Sequence, residues 1–213
     1  MTPMGQSTAA ARICELAPVV PVLVVDDAAI AGTLAQALVA GGLPALEVTL
    51  RTPAALEVIA EMATVEGGVV GAGTLLTPDD VTAACDAGAK FGVSPGATDR
   101  LLSACEDAEL PLLPGAASAS EAMALLERGY DVLKFFPTEA SGGAALLKSF
   151  ASPLPQISFC PTGGVSPQNA MDYLSLPNVI CVGGSWIVPS DAIKNRDFDK
   201  IEALAREASQ IGK

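Results

Sequence analysis

Eight short β-rich runs alternate with helical segments along the 213 residues of this chain. The runs span residues 19–25, 45–50, 69–72, 91–93, 110–113, 132–136, 157–160 and 179–182. They recur at intervals of roughly 20 to 27 residues, which is the period of a βα unit. The pattern predicts an α/β fold in which residues 1–213 form a single (β/α)8 TIM barrel domain. An open doubly wound sheet is the structural alternative, but Asp26-Asp27 follows the first run, where such a sheet usually carries a GxGxxG turn.

The segments between the runs are amphipathic and rich in alanine and leucine. They span residues 28–40, 53–63, 78–87, 99–108, 119–127, 143–150 and 167–174. Thr52-Pro53, Thr77-Pro78 and Ser166-Pro167 each predict a helix N-cap followed by proline at the first helical position. Residues 8–16 predict an extra N-terminal helix before the barrel, and residues 197–211 predict a closing helix.

Charge and cysteine usage limit the partners and the compartment that we expect. Half of the residues are hydrophobic, enough for one sizeable core, and the formal net charge is −12 without any basic run. We therefore expect neither a nucleic acid nor an anionic membrane as partner. The five cysteines lack CxxC spacing and predict reduced thiols in a cytoplasmic protein. The first residues carry neither a basic nor an apolar signal region, and no run approaches the length of a membrane span.

Histidine is absent from the chain, which removes the most common general base and the most common zinc ligand. Proton transfer must then be carried out by carboxylates, tyrosines, lysine or water. We expect neither a metal nor another cofactor.

Lys134 stands out because it lies inside the apolar run Val132-Leu133-Lys134-Phe135-Phe136-Pro137. Burial disfavours the charged form of an amine, and a neutral amine can attack a carbonyl to form a Schiff base. The other five lysines lie in segments predicted to be at the surface or at the start of a strand. The structural alternative is a lysine that extends its ammonium out of one end of the barrel to pair with a carboxylate.

Polar residues alternate with apolar ones in the second run. Glu47, Thr49 and Arg51 share one strand face, while leucine and valine side chains share the other. Because the apolar face should pack under the helices, the polar face is predicted to point into the barrel. Arg51 is then placed at the rim to bind an anion. An internal ion pair that only holds the barrel together is the alternative.

Small residues and tight turns follow the next three runs. Gly71-Ala72-Gly73-Thr74 would let a ligand approach the backbone, and Thr74 offers a hydroxyl. Ser94-Pro95-Gly96 and Leu113-Pro114-Gly115 are equally typical of ordinary tight turns.

Paired glycines follow the last two runs, in Thr162-Gly163-Gly164 and in Gly183-Gly184-Ser185. Barrels commonly bind phosphate with backbone N–H groups of the loops after their last two strands. Two such pairs at these two positions predict a phosphate site, to which Ser185 adds a hydroxyl.

Six segments match a known family in combination. They are Glu47-Val48-Thr49-Leu50-Arg51-Thr52, Gly71-Ala72-Gly73-Thr74, Ser94-Pro95-Gly96, Leu133-Lys134-Phe135-Phe136-Pro137 with Glu139-Ala140, Cys160-Pro161-Thr162-Gly163-Gly164 and Gly183-Gly184-Ser185-Trp186. Together they resemble the 2-dehydro-3-deoxy-phosphogluconate (KDPG) aldolase family, roughly from residue 19 to the closing helix. The resemblance implies a metal-free class I aldolase of the Entner–Doudoroff pathway that reversibly cleaves KDPG to pyruvate and glyceraldehyde 3-phosphate. It also implies a homotrimer of (β/α)8 barrels.

The resemblance implies a role for each matching residue. Lys134 would be the Schiff-base lysine, and Glu47 would be the general acid and base that works through water. Arg51 and Thr74 would bind the pyruvyl carboxylate and the Schiff-base region, with Pro95 lining the site. The distal hydroxyl and phosphate end of the substrate would be held by Thr162, Gly163, Gly164, Gly183, Gly184 and Ser185.

The residues alone leave three other functions open. The same barrel could be a phosphosugar isomerase or synthase in which Lys134 acts as an electrophile. A divalent metal could stabilise a pyruvate enolate, although the chain lacks histidine and a paired carboxylate cluster. A non-catalytic barrel could bind a phosphosugar, although it would not need Lys134 and Glu47 together. Related aldolases that share the lysine also predict a side activity on 4-hydroxy-2-oxoglutarate.

Overall fold

Parallel β-strands form the centre of the protein in the computed structural model, which describes residues 1–212. The strands are β1 (Val19–Leu23), β2 (Ala45–Thr49), β3 (Val69–Gly73), β4 (Phe91–Val93), β5 (Leu112–Leu113), β6 (Gly115–Ala116), β7 (Val132–Phe135), β8 (Ser158–Pro161) and β9 (Val182–Gly184). Each predicted β-rich run therefore contains or adjoins a strand.

The strands form two parallel sheets. The larger sheet has the order β5-β4-β3-β2-β1-β9, and the smaller has the order β6-β7-β8. Isolated parallel bridges join Phe159 to Val179 and Thr162 to Gly183, beside β8 and β9. The α/β class is confirmed, but the single eight-stranded sheet that the sequence predicts is seen as two sheets. The break lies at Pro114, between β5 and β6, because proline has no N–H to donate to a strand ladder.

Helices follow most strands and cover their outer faces. They are α1 (Pro3–Cys14), α2 (Ala31–Ala40), α3 (Ala55–Met62), α4 (Pro78–Asp86), α5 (Asp99–Asp107), α6 (Ala119–Arg128), α7 (Gly143–Phe150), α8 (Ala170–Leu174), α9 (Ser190–Asn195) and α10 (Phe198–Ser209). Short 3₁₀ helices span Ala28–Ile30 and Glu139–Ser141. Within residues 1–212, none of these helices has the length and apolar character needed to span a bilayer.

The extra N-terminal helix is present, and it starts five residues earlier than predicted, at Pro3. Two buried polar side chains fix it to the sheets. The Gln6 side chain donates to the carbonyl of Cys105 at 2.9 Å and accepts from the N–H of Leu112 at 2.8 Å. The Ser7 hydroxyl accepts from the N–H groups of Asp131 and Val132, both at 2.9 Å. Helix α1 is therefore an integral part of the fold.

The alternation of strand side chains sorts the buried residues into two hydrophobic clusters. Leu46 and Leu133 belong to the larger cluster, which packs the helices against one face of the strands. Ala45 and Val132 belong to the smaller cluster on the other face. Glu47 and Lys134 alternate in phase with Ala45 and Val132, so they lie on the same strand face as this smaller cluster.

Candidate active site

Lys134 and Glu47 form a buried pair between the two sheets. The Lys134 Nζ lies 3.3 Å from Glu47 Oε1, and each side chain is only 3% exposed. The two residues come from β7 and β2, and each stands in the alternating position that faces away from the helices. Two charges taken out of water are costly unless they are paired, so the position of each side chain depends on the other.

An aromatic ring and a glycine complete the surroundings of this pair. The Lys134 Nζ lies 5.1 Å from the centroid of the Phe136 ring, within the range of a cation–π contact. A Cβ at Gly73 would lie 2.7 Å from Glu47 Cγ, closer than side chains tolerate. The sequence indicated that the small residues of β3 would admit a ligand. The structure shows that Gly73 makes room for Glu47 and that Gly71 makes room for the ring of Phe91, 2.5 Å from where its Cβ would stand.

Arg51 and Thr74 meet at the C-terminal ends of β2 and β3. Arg51 Nε donates to Thr74 Oγ1 at 3.2 Å, and the arginine is exposed. Thr74 has a φ of 64°, in the left-handed region that a β-branched residue rarely occupies. Such strain persists only where the surroundings enforce it. An exposed guanidinium at this position can bind a carboxylate.

Pro95 lies at the end of β4 and is half-buried. Its carbonyl packs so closely on Gly115 that a Cβ there would clash with it. This contact joins the end of the larger sheet to β6 of the smaller one.

Thr162, Gly163 and Gly164 follow β8 and form a turn with two glycines in the left-handed region, with φ of 101° and 87°. The carbonyls of Thr162 and Gly163 accept from the N–H groups of Thr138 and Glu139 at 2.9 and 3.1 Å. The parallel bridge between Thr162 and Gly183 directs the Gly163 N–H toward the carbonyl of Gly183, whereas within residues 1–212 the Gly164 N–H donates to no protein acceptor. A free N–H group on a glycine turn can bind an anion.

Gly183 and Gly184 end β9, where each makes room for a neighbouring side chain. A Cβ at Gly183 would meet the side chain of Thr162, and one at Gly184 would meet the ring of Trp186. Ser185 follows them and is exposed. It lines a cavity of about 650 Å³ together with Asp27, Lys194 and Arg196. Neither Lys134 nor Glu47 is among the residues that line this cavity.

A polar cluster lies behind the Gly163-Gly164 turn. Glu139, five residues after Lys134, accepts hydrogen bonds from the Tyr173 hydroxyl and from Asn169 Nδ2. Burial raises the pKa of Tyr173 above its ordinary value, and the hydrogen bond to Glu139 raises it further. The phenol therefore stays protonated and donates to the carboxylate.

The comparisons with known proteins agree on one family. The model of the KDPG and KHG aldolase family matches residues 10–204. A KHG/KDPG aldolase of Escherichia coli is 48% identical over 207 residues, covering 97% of each chain. The chain belongs to the KDPG and KHG aldolase family.

Solved structures of family members have nearly the same backbone. The 2-keto-3-deoxy-6-phosphogluconate aldolase of Zymomonas mobilis, solved with 3-phosphoglycerate, superposes with a TM-score of 0.90 at 50% identity and covers 95% of each chain. The KDPG aldolase of Legionella pneumophila, solved with pyruvate as a covalent carbinolamine intermediate, has a TM-score of 0.91 at 46% identity. That match covers 94% of this chain and 98% of the other.

Some residues of this family member were missed as site components by the sequence reasoning. Phe136 belongs to the apolar run that was predicted to bury Lys134, but the sequence gives no sign that Glu139 contacts the glycine turn. Asn169 and Tyr173 carried no signal, because they meet Glu139 across 30 and 34 residues of chain. Gly73 was singled out, but for a different reason from the one that the structure shows.

Proposed function

We propose that this protein is a class I aldolase that reversibly cleaves KDPG to pyruvate and D-glyceraldehyde 3-phosphate. The observation that carries the proposal is the buried Lys134–Glu47 pair, at 3.3 Å, in a member of the KDPG and KHG aldolase family. A buried amine beside a carboxylate has both groups that Schiff-base chemistry needs, a nucleophile and a proton shuttle.

Lys134 supplies the electron sink in this proposal. Its neutral amine attacks the C2 ketone of KDPG, and the carbinolamine that forms loses water to give an iminium ion. When the C4 hydroxyl loses its proton, the C3–C4 bond breaks and its electron pair moves toward the iminium nitrogen. Glyceraldehyde 3-phosphate leaves and an enamine remains on Lys134. Protonation of C3 and hydrolysis of the imine by water then release pyruvate and restore the amine.

Glu47 is the proposed proton shuttle. Dehydration of the carbinolamine, deprotonation of the C4 hydroxyl and protonation of the enamine all need a positioned acid or base. Glu47 Oε1 lies 3.3 Å from the nucleophilic nitrogen, so it can reach each of these protons directly or through one water molecule. The cationic iminium favours the ionised carboxylate at the step where a base is needed.

The two ends of the substrate are proposed to meet different loops. Arg51 and Thr74, which contact each other at 3.2 Å, would bind the pyruvyl carboxylate, with Pro95 lining the site. The phosphate end would lie at the two glycine pairs. The residues proposed for this end are Thr162, Gly163, Gly164, Gly183, Gly184 and Ser185. The free N–H group of Gly164 and the exposed Ser185 support this assignment.

We also propose that the two sheets belong to one closed (β/α)8 barrel that makes up a single domain. The bridges Phe159–Val179 and Thr162–Gly183 support closure between β8 and β9, and β5 and β6 are separated only by Pro114. By the family resemblance, we propose a homotrimer. The five free cysteines support a reducing compartment such as the cytoplasm.

The function is tested by incubating the protein with KDPG and measuring pyruvate release through lactate dehydrogenase and NADH. Turnover should persist in EDTA, because the iminium replaces a Lewis acid. The control substrate is 6-phosphogluconate, which lacks the C2 ketone and should be inert. A requirement for a divalent ion, or an isomerised product without pyruvate, would contradict the proposal.

A second activity on 4-hydroxy-2-oxoglutarate is proposed as weaker. The Escherichia coli relative is named a KHG/KDPG aldolase, and the pair Lys134–Glu47 would act on either 2-oxo acid. An unphosphorylated substrate would leave the glycine pairs unused. We therefore expect a lower kcat/KM for it in the same pyruvate-release assay.

A further inference from the structure

Glu139 connects the strand of the nucleophile to the glycine turn after β8. Its backbone N–H donates to the carbonyl of Gly163 at 3.1 Å. Its side chain packs against Gly164, where a Cβ would lie 2.8 Å from Glu139 Cβ. Because Glu139 follows Lys134 by only five residues, one short segment contacts both ends of the proposed site.

Two further side chains fix the carboxylate of Glu139. Tyr173 is 1% exposed, and its hydroxyl donates to Glu139 Oε1. Asn169 Nδ2 donates to the same oxygen at 3.4 Å and to the carbonyl of Gly164 at 3.1 Å. A buried phenol without an acceptor would be costly, so Tyr173 holds the carboxylate in place as much as the carboxylate satisfies Tyr173.

The glycine turn needs such support because its conformation is open to alternatives. Gly163 and Gly164 both have positive φ, and glycine visits many other conformations at little cost. An anion site made of backbone N–H groups binds well only when those groups already point the same way. The contacts of Glu139 and Asn169 with Gly163 and Gly164 restrict this freedom.

We infer that Glu139 is a positioning residue that holds the Gly163-Gly164 turn in its phosphate-binding conformation, with Tyr173 and Asn169 holding Glu139. The inference rests on the proposed function, since it takes the phosphate of the substrate as the ligand of this turn. Glu139 contacts neither Lys134 nor Glu47 in this scheme. Its loss should therefore weaken phosphate binding and leave imine formation intact.

The test compares Glu139→Ala, Glu139→Gln and Tyr173→Phe with the wild-type protein. Titration calorimetry gives the Kd of 3-phosphoglycerate, which carries the phosphate of the three-carbon product but no ketone or aldehyde. Borohydride trapping with pyruvate gives the rate of imine formation in the same variants. Glu202→Gln, on α10 and paired with Arg206 on the surface, is the matched control.

Glu139→Ala should raise the Kd of 3-phosphoglycerate, and the KM for KDPG, about tenfold. Tyr173→Phe should shift both in the same direction. Glu139→Gln keeps an acceptor oxygen for Tyr173 and should stay within about twofold of wild type, as should the control. Pyruvate trapping should be unchanged in all four variants.

An unchanged Kd in Glu139→Ala, or a wild-type protein that does not bind 3-phosphoglycerate, would overturn the inference. So would an equal loss of pyruvate trapping, which would indicate general damage to the site. If the wild type binds 3-phosphoglycerate with the expected dependence on Glu139 but does not cleave KDPG, the inference stands and the proposed function fails.

Discussion

The Lys134–Glu47 pair is the residue-scale feature on which the chemistry depends. With both side chains 3% exposed, neither charge is stabilised by bulk water. Removing one partner of such a pair leaves the other uncompensated. The pair therefore holds a nucleophile and a proton-transferring carboxylate 3.3 Å apart in a site closed to bulk water.

Glu47→Gln should separate proton transfer from nucleophilic attack. The amide keeps the shape of the side chain but cannot carry a proton between substrate atoms. Exchange of the pyruvate methyl protons with deuterated water, followed by NMR, should slow by about 10²- to 10⁴-fold, while pyruvate still binds. Exchange at the wild-type rate in Glu47→Gln would falsify the assignment of Glu47 as the shuttle.

Gly73→Ala should impair activity through Glu47 rather than through the fold. The added methyl group would lie 2.7 Å from Glu47 Cγ and should displace the carboxylate from Lys134. A misplacement of this kind can cost about 10²-fold in kcat/KM. The matched control is Gly32→Ala, because a Cβ at Gly32 meets nothing within 4 Å. Wild-type kcat/KM in Gly73→Ala would show that the Glu47 position is not critical.

Among the elements, helix α1 makes more hydrogen bonds to the rest of the fold than the sequence suggested. Its Gln6 side chain bonds the carbonyl of Cys105 and the N–H of Leu112, which belong to α5 and β5. Both residues and the Gln6 side chain are buried. Helix α1 therefore supplies the acceptor that the N–H of Leu112, in the short strand β5, would otherwise lack.

Gln6→Ala should lower the free energy of unfolding by about 1 to 3 kcal/mol, because it leaves the buried N–H of Leu112 without a partner, whereas the carbonyl of Cys105 still accepts from the N–H of Leu110 at 3.0 Å. Urea unfolding followed by circular dichroism measures the change. Thr8→Ala on the same helix is the control, since the exposed Thr8 hydroxyl bonds only within α1, to Met4 at 2.9 Å. It should stay within about 0.5 kcal/mol of wild type, and equal losses in both variants would contradict this role for Gln6.

The sequence predicted where helices and strands occur but predicted two of the three helix N-caps wrongly. Thr77 caps α4 with a full capping box, as predicted. The caps predicted at Thr52 and Ser166 are wrong, since α3 and α8 begin later, after Ala54 and Asn169. The Thr52 hydroxyl bonds the carbonyl of Val25 instead, at 2.7 Å. Because Val25 is 27 residues away from Thr52, this hydrogen bond leaves no pattern in the sequence around Thr52, and the N-cap preference of threonine could not predict it.

In the site too, the sequence predicted features that depend on one strand but not contacts between distant elements. The inward position of Glu47 was predicted from alternation along its strand, and the burial of Lys134 was predicted from the apolar run around it. Alternation does not say that Gly73 makes room for Glu47, or that Tyr173 meets Glu139. Those contacts depend on the register between elements, which is fixed by packing of the whole chain.

For the whole molecule, the negative net charge means that an anionic substrate must be bound by groups that contact it directly. A net charge of −12 opposes a phosphorylated, carboxylated substrate at long range. Arg51 and the glycine N–H groups must therefore act at contact distance.

Sedimentation equilibrium should find a single species with three times the chain mass of 21.5 kDa. Closed symmetric assemblies keep their mass on dilution until their Kd is reached, so the measurement should be repeated over a hundredfold range of concentration. A species of 21.5 kDa throughout that range would contradict the proposed trimer.

The central claim, that Lys134 is the Schiff-base nucleophile, is tested most directly by borohydride reduction in the presence of pyruvate. Intact mass should show one pyruvyl unit per chain, and peptide mapping should place it on Lys134 alone. Lys134→Ala should gain no adduct, and circular dichroism should first establish that it is folded, because this variant leaves the buried Glu47 without its partner. Lys148→Ala, which alters a lysine on the surface helix α7, should be labelled like wild type. An adduct on any other lysine, or none in the wild type, would contradict the account.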